Sequence, residues 1–408
     1  MRRAFKSVPL FLLLAVILVV SACAPAAQEA AKPAAKAGTE TQKEAPKTAP
    51  QSSKEPYKIG MVLAQTGTYG AVGGGMAKAI QLEVDRVNAA GGVDGHPLQL
   101  INYDDQSKAE ENTALLRKAA NDDKVVAIFG PIMTPIIAAA LPVIREIKVP
   151  TIAIGSVATK PEDPYIFTDI NAIDQLMNVY LDFAKKKGFK KVVTLTTTED
   201  LSNQAVKLVE TLSPKYGLEL VGQERFAQTD QDVTPQLTKL KALNPDLLIS
   251  WATGDAAVLL YKNSRQLGFK APLVYNTAAS TSQWFKLAGD IPQEGTVFVG
   301  GAKLQIVDSL PDSDPFKKEA LAFRKAYIDK FNLTPAYTEA VAWDMVHQVA
   351  DGLKANGPDR DKLRAYLETI KFCGIGFCYN KTATDHIGLD ISSMPVLTAK
   401  GSEWVLAK

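Results

Sequence analysis

The sequence predicts an α/β protein made of two similar lobes, each a parallel-rich sheet sandwiched by helices. Short apolar runs alternate with amphipathic helical segments from residue 57 onward. This alternation is typical of parallel sheets whose connecting helices cover both faces. The pattern restarts near Lys185, in KKKGFKKVVTLTT. About 350 residues follow a polar N-terminal segment, which is more than one core of ordinary size holds, so two lobes are expected.

The chain begins with an export signal. Arg2, Arg3 and Lys6 precede the apolar run VPLFLLLAVILVV, which is shorter than the roughly 20 residues of a membrane-spanning helix. The run ends in VSAC, which resembles the bacterial lipobox. In proteins with a lipobox the cysteine, here Cys23, is diacylated and becomes the mature N-terminus. We therefore expect a lipoprotein signal peptide over residues 1–22. An uncleaved anchor or an ordinary secretory signal is the alternative, and each of these readings gives an exported protein.

Residues 23–56 are predicted to be the lipidated cysteine and a disordered tether. From residue 24 onward the segment contains no aromatic or branched aliphatic residue, so it cannot bury a core. The net charge of +2 falls to −1 when the three positive charges of the signal are removed. The charge therefore gives no reason to expect a nucleic-acid partner.

The strands predicted in chain order are KIGMVLA, PLQLINYDD, VVAIFG, VPTIAIG, KVVTLTT, LELVGQERF, DLLISWA, APLVYN and GTVFVGG. The first helix carries an apolar stripe and ends at Gly91 and Gly92. Ser107 with Glu110 predicts a capping box at the start of the second helix. Thr134, followed by a proline, predicts the N-cap of the third helix. The helical segments after Pro315 are expected to add to the first sheet.

The first strand is followed by the glycine-rich turn QTGTYGAVGGG. Gly67, Gly70 and Gly73 have the spacing GxxGxxG, whereas dinucleotide-binding turns have GxGxxG. No GKS or GKT follows, and an exported protein meets no pool of nucleotide cofactors. GxSxG, HExxH and SxxK are also missing, and the three histidines show no metal-ligand spacing. We expect no cofactor, no metal and no enzymatic activity.

Cys373 and Cys378 flank the segment GIGF. Two cysteines separated by a short segment that contains two glycines can close a tight loop, and in an oxidising compartment a disulfide is the expected state. Two buried free thiols are the alternative.

Several segments together resemble the type I periplasmic solute-binding proteins of the branched-chain amino acid class, which serve ATP-driven importers. The resemblance covers residues 57–408. It is carried by IGMVLAQTGTYGAVGGGMAKAIQLEVDRVNAAGGVDGHPLQLINYDDQS, FGPIMT, IGSVATKP and TDHIGLD. It implies two lobes joined by a hinge of about three crossovers. We expect lobe 1 over residues 57–174 and about 304–376, and lobe 2 over residues 175–303 and about 377–408.

The resemblance also implies ligand contacts in lobe 1. Tyr69 occupies the aromatic position of the glycine turn, although it could also be an ordinary surface residue of that turn. Thr134 falls where the family places a hydroxyl that binds the carboxylate of the ligand, and helix starts do bind anions. Capping its own helix is the alternative, and both roles can hold together. Thr159 matches a threonine beside the amino-acid head group, with Ser156 nearby; a simple turn before Lys160 is the alternative.

In lobe 2, the resemblance places ligand contacts at Trp251 and Thr253, after a strand. A tryptophan there could stack on a flat or apolar ligand or pack only within its own lobe. Amino-acid binders have a tyrosine where Leu201 stands, and an acid for the ammonium group in the loop corresponding to residues 275–286. That loop contains no acid. The ligand is therefore either an amino acid held by an unusual acid, Asp255 or Asp200, or an aromatic or aliphatic carboxylate or amide without an ammonium group.

The function expected from the resemblance is capture of a small solute, an amino acid or a related small carboxylate, and its delivery to an ABC permease. The alternatives keep the fold but bind an aromatic acid or amide, or act as the ligand-sensing subunit of a signalling system. We expect a monomer that is lipid-anchored through Cys23, at the cell membrane or at the periplasm-facing side of an outer membrane.

Overall fold

The computed structural model describes residues 54–155, 162–289 and 292–408. The predicted signal peptide and most of the predicted tether lie outside these ranges. Within them the chain forms two main sheets and a two-stranded hairpin, with helices packed against the sheets. No helix of the described ranges is both long and apolar enough to cross a bilayer.

The first sheet is wholly parallel and has the strand order β2-β1-β3-β4-β5. Its elements, in chain order, are β1 (Tyr57–Leu63), α1 (Gly70–Ala89), β2 (Leu98–Asp104), α2 (Ala109–Asn121), β3 (Ala127–Ile132), α3 (Thr134–Ile147), β4 (Thr151–Ile154) and β5 (Ile166–Thr168). The central strands β3 and β4 are buried along their whole length, as expected for strands that are covered on both faces.

The second sheet has the order β14-β13-β10-β9-β8-β6-β7, and β13 is its reversed strand, since it pairs antiparallel with both β10 and β14. The elements that build lobe 2 are α4 (Ile173–Lys186), β6 (Lys191–Thr197), α5 (Asp200–Leu212), β7 (Glu219–Phe226), α6 (Thr234–Lys241), β8 (Leu247–Ile249), α7 (Gly254–Gln266), β9 (Leu273–Tyr275), α8 (Ser282–Ala288) and β10 (Val297–Gly300).

The chain then returns to the first sheet. The remaining elements are α9 (Lys317–Phe331), α10 (Tyr337–Asn356), α11 (Arg360–Leu367), the hairpin β11 (Lys371–Cys373) and β12 (Cys378–Asn380), and finally β13 (Val396–Lys400) and β14 (Glu403–Leu406) in lobe 2. Helices α9 and α10 pack on α1, where His347 Nε2 lies 2.8 Å from Glu83 Oε1. The chain thus passes between the sheets after β5, after β10 and after β12. The predicted two-lobe α/β fold is confirmed, whereas the numbered lobe boundaries stay predictions.

Every predicted strand corresponds to a strand of the structure, and α1 ends before Gly91 and Gly92, which have φ angles of +107° and +71°. Strands β5 and β11 to β14 were not predicted. The predicted capping box is wrong: α2 starts at Ala109 with Lys108 as N-cap. Ser107 instead has a φ of +63°, and its hydroxyl binds the turn after β1. The hydroxyl therefore serves a partner about 40 residues away in sequence.

The predicted N-cap of α3 is wrong by one residue. Met133 holds the N-cap position with a φ of +69°, and no side chain caps the helix there. Thr134 is the first helical residue, and the proline that follows it lies in the first turn, where its missing N–H costs no helical hydrogen bond.

Candidate functional site

The turn after β1 is held by the carboxylate of Asp104, at the end of β2. Asp104 Oδ1 accepts hydrogen bonds from the backbone N–H groups of Gln65 (2.9 Å), Thr66 (3.2 Å) and Gln106 (2.9 Å). The Thr66 hydroxyl donates to Oδ2 over 2.6 Å. Burial favours the neutral acid, but these hydrogen bonds outweigh it and lower the pKa of Asp104 below its usual value. One carboxylate therefore fixes two loops at the carboxyl edge of the first sheet.

Tyr69 lies at the end of this turn and is the N-cap residue of α1. Its backbone N–H donates to Ser107 Oγ over 3.0 Å, and the same hydroxyl donates to the carbonyl of Thr66 over 2.8 Å. Gly67 has a φ of +78°, and a Cβ at this position would lie 2.5 Å from the carbonyl oxygen of Gln106. A glycine is therefore required where the two loops touch. The Tyr69 ring is half-buried and packs against the main core.

Thr134 is exposed at the start of α3, beside the end of β4. A Cβ on Gly155 would lie 3.1 Å from the Thr134 nitrogen. The Met133 N–H donates to the Ile154 carbonyl over 2.9 Å, so the start of the helix and the end of the strand lie side by side. Ser156 and Thr159 follow in the chain but lie outside the described residues, as does Cys23. Their proposed roles stay predictions.

In lobe 2, Trp251 and Thr253 follow β8. Trp251 is only 6% exposed, and its ring packs edge-on against Tyr180 of α4 with centroids 6.2 Å apart. The backbone N–H of Trp251 donates to Thr196 Oγ1 over 3.0 Å. Thr253 is the N-cap residue of α7, without a side-chain cap, and its carbonyl accepts from Gln228 Nε2 over 3.2 Å. Packing within the lobe thus accounts for the Trp251 ring, and contact with a ligand stays a prediction.

The loop after β9, in which the resemblance leads one to expect an acid, contains none and is organised by an amide. Asn276 is buried; its Nδ2 donates to the Trp251 carbonyl (3.1 Å), and its Oδ1 accepts from the Ala278 N–H (2.9 Å). The loop continues into α8, where Trp284 and Phe285 pack on Trp404 with centroids 5.5 and 4.8 Å apart. This loop is therefore held by backbone-directed hydrogen bonds and aromatic packing.

The two acids considered as replacement partners for an ammonium group are exposed. Asp200 is the first residue of α5, and Asp255 lies in the first turn of α7. Leu201 is 43% exposed. Acids in the first turn of a helix are stabilised by the helix dipole, so both aspartates have a structural reason to be where they are.

The junction of the lobes contains polar residues that the sequence did not reveal. Tyr337, the first residue of α10, donates to Asn171 Oδ1 over 2.6 Å. Burial raises the pKa of Tyr337 far above its usual value. Tyr180 of α4 donates to the Tyr275 carbonyl and accepts from the Gly300 N–H over 2.8 Å. The only sequence signal was a tyrosine at the start of the helical segment PAYTEAV.

A buried polar cluster lies where two of the connections between the sheets, the one after β5 and the one after β12, meet α10. The side chains of Lys381 and Asp169 form an ion pair and are fully buried. Gln348 of α10 donates to Asp169 Oδ2 over 2.6 Å, and its Oε1 accepts from the Lys381 ammonium over 2.8 Å. The cluster joins residues more than 200 positions apart in sequence, and no local pattern marks it.

The hairpin after α11 contains the predicted disulfide between Cys373 and Cys378, which is confirmed. Its turn rests on Asp344 of α10, whose carboxylate accepts from the N–H groups of Gly376 (3.0 Å) and Phe377 (2.9 Å). Burial raises the pKa of Asp344 to about 8. No group of histidine, cysteine or acidic side chains in the described ranges could hold a metal ion.

Comparisons with known proteins agree with this fold. The chain is 22% identical to "Leu/Ile/Val-binding protein homolog 7" of Brucella suis over 239 residues, which are 55% of this chain and 59% of the Brucella protein. The chain thus spans less than two thirds of the length of that relative. It is also 22% identical to an "Amino acid binding protein" of Pseudomonas aeruginosa, over 67% of this chain and 71% of that protein.

Solved structures share the architecture. The substrate-binding protein LivJ of Streptococcus pneumoniae, solved with isoleucine, superposes with a TM-score of 0.69 at 23% identity, covering 86% of this chain and 99% of that one. A solute-binding protein of an ABC transporter from R. palustris, solved with benzoate, gives a TM-score of 0.65 at 21% identity and covers 86% and 95% of the two chains. These proteins are binding proteins rather than enzymes. The sequence profile of the periplasmic binding protein family matches residues 56–401, most of the chain, and the protein therefore belongs to that family.

Proposed function

We propose that this protein is an extracytoplasmic, lipid-anchored solute-binding protein that captures a small carboxylate between its two lobes and delivers it to an ABC importer. The ligand we propose lacks an ammonium group, like benzoate, rather than being an α-amino acid like isoleucine. The observation that carries this choice is Asn276. Its amide is engaged by backbone groups on both sides, and the loop it begins contains no acid.

Electrostatics supports the same choice. The free energy of burying an ammonium group without a partner is several kcal/mol unfavourable. Asp200 and Asp255 are exposed at helix starts, and the carboxylate of Asp104 is engaged by the backbone of two loops. A ligand carboxylate, in contrast, is suited to the start of α3, where Thr134 lies beside the end of β4 and the helix dipole favours negative charge.

The test compares two ligand pairs that differ by the α-amino group and a third pair, benzoate and benzamide, that differs by the carboxylate. Thermal unfolding of the mature protein is followed with isoleucine and 3-methylpentanoate, with phenylalanine and 3-phenylpropanoate, and with benzoate and benzamide. A ligand at 100 times its Kd adds about 2.7 kcal/mol to the free energy of unfolding. We expect acids without the amino group to raise the Tm. Stabilisation by the amino acids alone would overturn the ligand class but not the fold or the binding role.

Thr134 provides a second test once an acid has been identified. Thr134→Ala removes a hydroxyl donor and is expected to weaken binding of that acid about tenfold, or about 1.4 kcal/mol. Thr134→Ser keeps the hydroxyl and is the matched control. Calorimetric titration measures both variants, and equal affinities for Thr134→Ala and wild type would leave Thr134 without a role in binding.

The lipid anchor is tested separately. We expect the full-length protein to enter the detergent phase in Triton X-114 partitioning and the Cys23→Ala variant to be lost from that phase. Detergent partitioning that is independent of Cys23 would contradict anchoring at this residue, without bearing on solute binding.

A further inference from the structure

The hairpin formed by β11 and β12 exposes its disulfide to solvent. Cys373 and Cys378 are directly opposite each other in the antiparallel register, and both are half-buried rather than enclosed. They line an open cavity of about 400 Å³ together with Lys371, Phe372, Tyr379, Asn380 and Asp390. A small thiol reagent, or the exposed thiol of another protein, can therefore reach the sulfur atoms.

The two sulfurs differ in their electrostatic surroundings. The ammonium group of Lys303 lies 3.7 Å from Cys378 Sγ, and the Lys303 side chain is itself half-buried, between this sulfur and the ring of Phe316. A positive charge at this distance stabilises a thiolate and lowers the pKa of the thiol. No ammonium or guanidinium contact to Cys373 is found in the part of the chain that the structure describes.

The other charged groups around the hairpin are Lys371, Asp390 and Asp344, and none of them contacts a cysteine sulfur through a hydrogen bond or ion pair in the described ranges. Lys371 and Asp390 line the same cavity, one of each sign. Asp390 is exposed, and its carboxylate accepts from the N–H and the hydroxyl of Ser392. Asp344 lies under the turn of the hairpin, against Gly376 and Phe377. Among these groups, the contact of Lys303 with Cys378 is the feature that makes the two sulfurs unequal.

We propose that this disulfide is a redox-active modification site that exchanges with dithiols, with Cys373 as the sulfur attacked and Cys378 as the leaving thiolate. A thiolate of a dithiol reductant, a Cys-X-X-Cys protein or dithiothreitol, forms a bond to Cys373 Sγ. The bond between the two cysteine sulfurs breaks, and its electron pair leaves with Cys378 beside Lys303. The leaving thiol of lower pKa departs faster.

The second thiolate of the reductant then attacks the sulfur that it has bound to Cys373. This releases Cys373 as a thiolate and leaves the reductant as a disulfide. The protein gains two electrons, the reductant loses two, and the two protons of the reductant's thiols pass through solvent to the cysteines. No other oxidant or cofactor is needed for the balance.

Reduction would affect more than the hairpin. The turn between the cysteines accepts hydrogen bonds from the connection after β10, the Lys303 N–H to the Gly376 carbonyl (3.1 Å) and the Leu304 N–H to the Ile375 carbonyl (2.8 Å). The other face of the turn is bound by Asp344. The disulfide thus closes a turn that joins the connection after β10 to α10, and its opening loosens both contacts.

The experiment measures thiol chemistry and does not depend on the solute. The folded protein is reduced with dithiothreitol at pH 7, freed of reductant, pulsed with N-ethylmaleimide and mapped by peptide mass. A thiol pKa lowered by one unit from about 8.5 raises the thiolate fraction at pH 7 about eightfold, while the lower nucleophilicity of that thiolate slows its reaction about threefold. We expect Cys378 to be modified about threefold faster than Cys373.

Lys303→Gln is expected to abolish this preference and to slow reduction about threefold, because the leaving thiolate loses its ammonium partner. Lys371→Gln is the matched control, since it removes a lysine that lines the cavity beside the disulfide, and should behave as wild type. In case Lys303→Gln does not fold, the single-cysteine variants Cys373→Ser and Cys378→Ser give each thiol pKa by absorbance at 240 nm. A disulfide that is reduced only on unfolding, equal or reversed modification rates, or equal effects of the two lysine variants would overturn the proposal.

Discussion

Each lobe places an aromatic residue after a sheet strand, but the rings of the two residues differ in burial. Tyr69 ends a turn that Asp104 and Ser107 fix through backbone hydrogen bonds, which leaves its ring half-buried at the carboxyl edge of the sheet. Trp251 is 6% exposed and packs on Tyr180. Polar side chains hold the backbone in both places, since Thr196 and Asn276 bind the N–H and the carbonyl of Trp251. Of the two rings, however, only that of Trp251 is enclosed by its own lobe.

The largest expected effect is that of Trp251→Ala on stability. Removing a buried aromatic side chain leaves a cavity and lowers the free energy of unfolding by about 3–5 kcal/mol. Urea unfolding followed by circular dichroism measures this loss. Tyr69→Ala, at a half-buried position, is expected to cost no more than about 1 kcal/mol. The difference between the lobes disappears if both substitutions reduce stability equally.

The next largest effect is expected for Asp104, whose carboxylate holds the turn after β1 in lobe 1. Asp104→Ala removes a charged acceptor of several backbone hydrogen bonds and is expected to lower the free energy of unfolding by about 2 kcal/mol. In lobe 2, Asp246 accepts from the N–H groups of Lys190 and Lys191 (2.8 and 2.9 Å) and provides a matched carboxylate at the start of a strand.

Asp246→Ala should also destabilise the fold, but only Asp104→Ala should speed hydrogen exchange in the turn of residues 65–69. Hydrogen exchange with mass spectrometry distinguishes the two. Equal protection of that turn in both variants would mean that Asp104 does not position it.

The carboxylate of Asp104 also predicts how the stability of the protein depends on pH. The pKa of Asp104 is lower in the folded protein than its ordinary value, so its contribution is complete above the unfolded pKa of about 3.9 and is lost as pH falls through the folded pKa. We expect the stability difference between wild type and Asp104→Asn to be constant from pH 7 to 5 and to shrink below about pH 4. Urea midpoints across this range measure it, and a difference that grows with acid would contradict the assignment.

Sequence reasoning succeeded where the structure is periodic and failed where contacts are distant. Alternating apolar runs located the strands, because burial on both faces leaves a mark in each segment. Ser107 has the local pattern of a capping box, yet its hydroxyl is engaged by Thr66 and Tyr69 in another loop. The Asp169–Lys381 pair is likewise invisible locally, since only the return of the chain to the first sheet brings these residues together.

The smallest expected effects on stability are those of substituting Asp200 and Asp255, the two acids at the edge of lobe 2. These substitutions test whether lobe 2 binds its ligand through a charge. Asp255→Asn and Asp200→Asn alter exposed positions in the first turns of helices, so each should change the free energy of unfolding by no more than about 0.5 kcal/mol. If the ligand carries no ammonium group, neither variant loses affinity for it, and removal of a nearby negative charge slightly strengthens binding of an acid. Titration of each variant with the best acid of the ligand screen and with isoleucine measures this. A large loss of affinity in one variant would identify that aspartate as an ammonium partner, and lobe 2 would then bind its ligand through a charge, as amino-acid binders do.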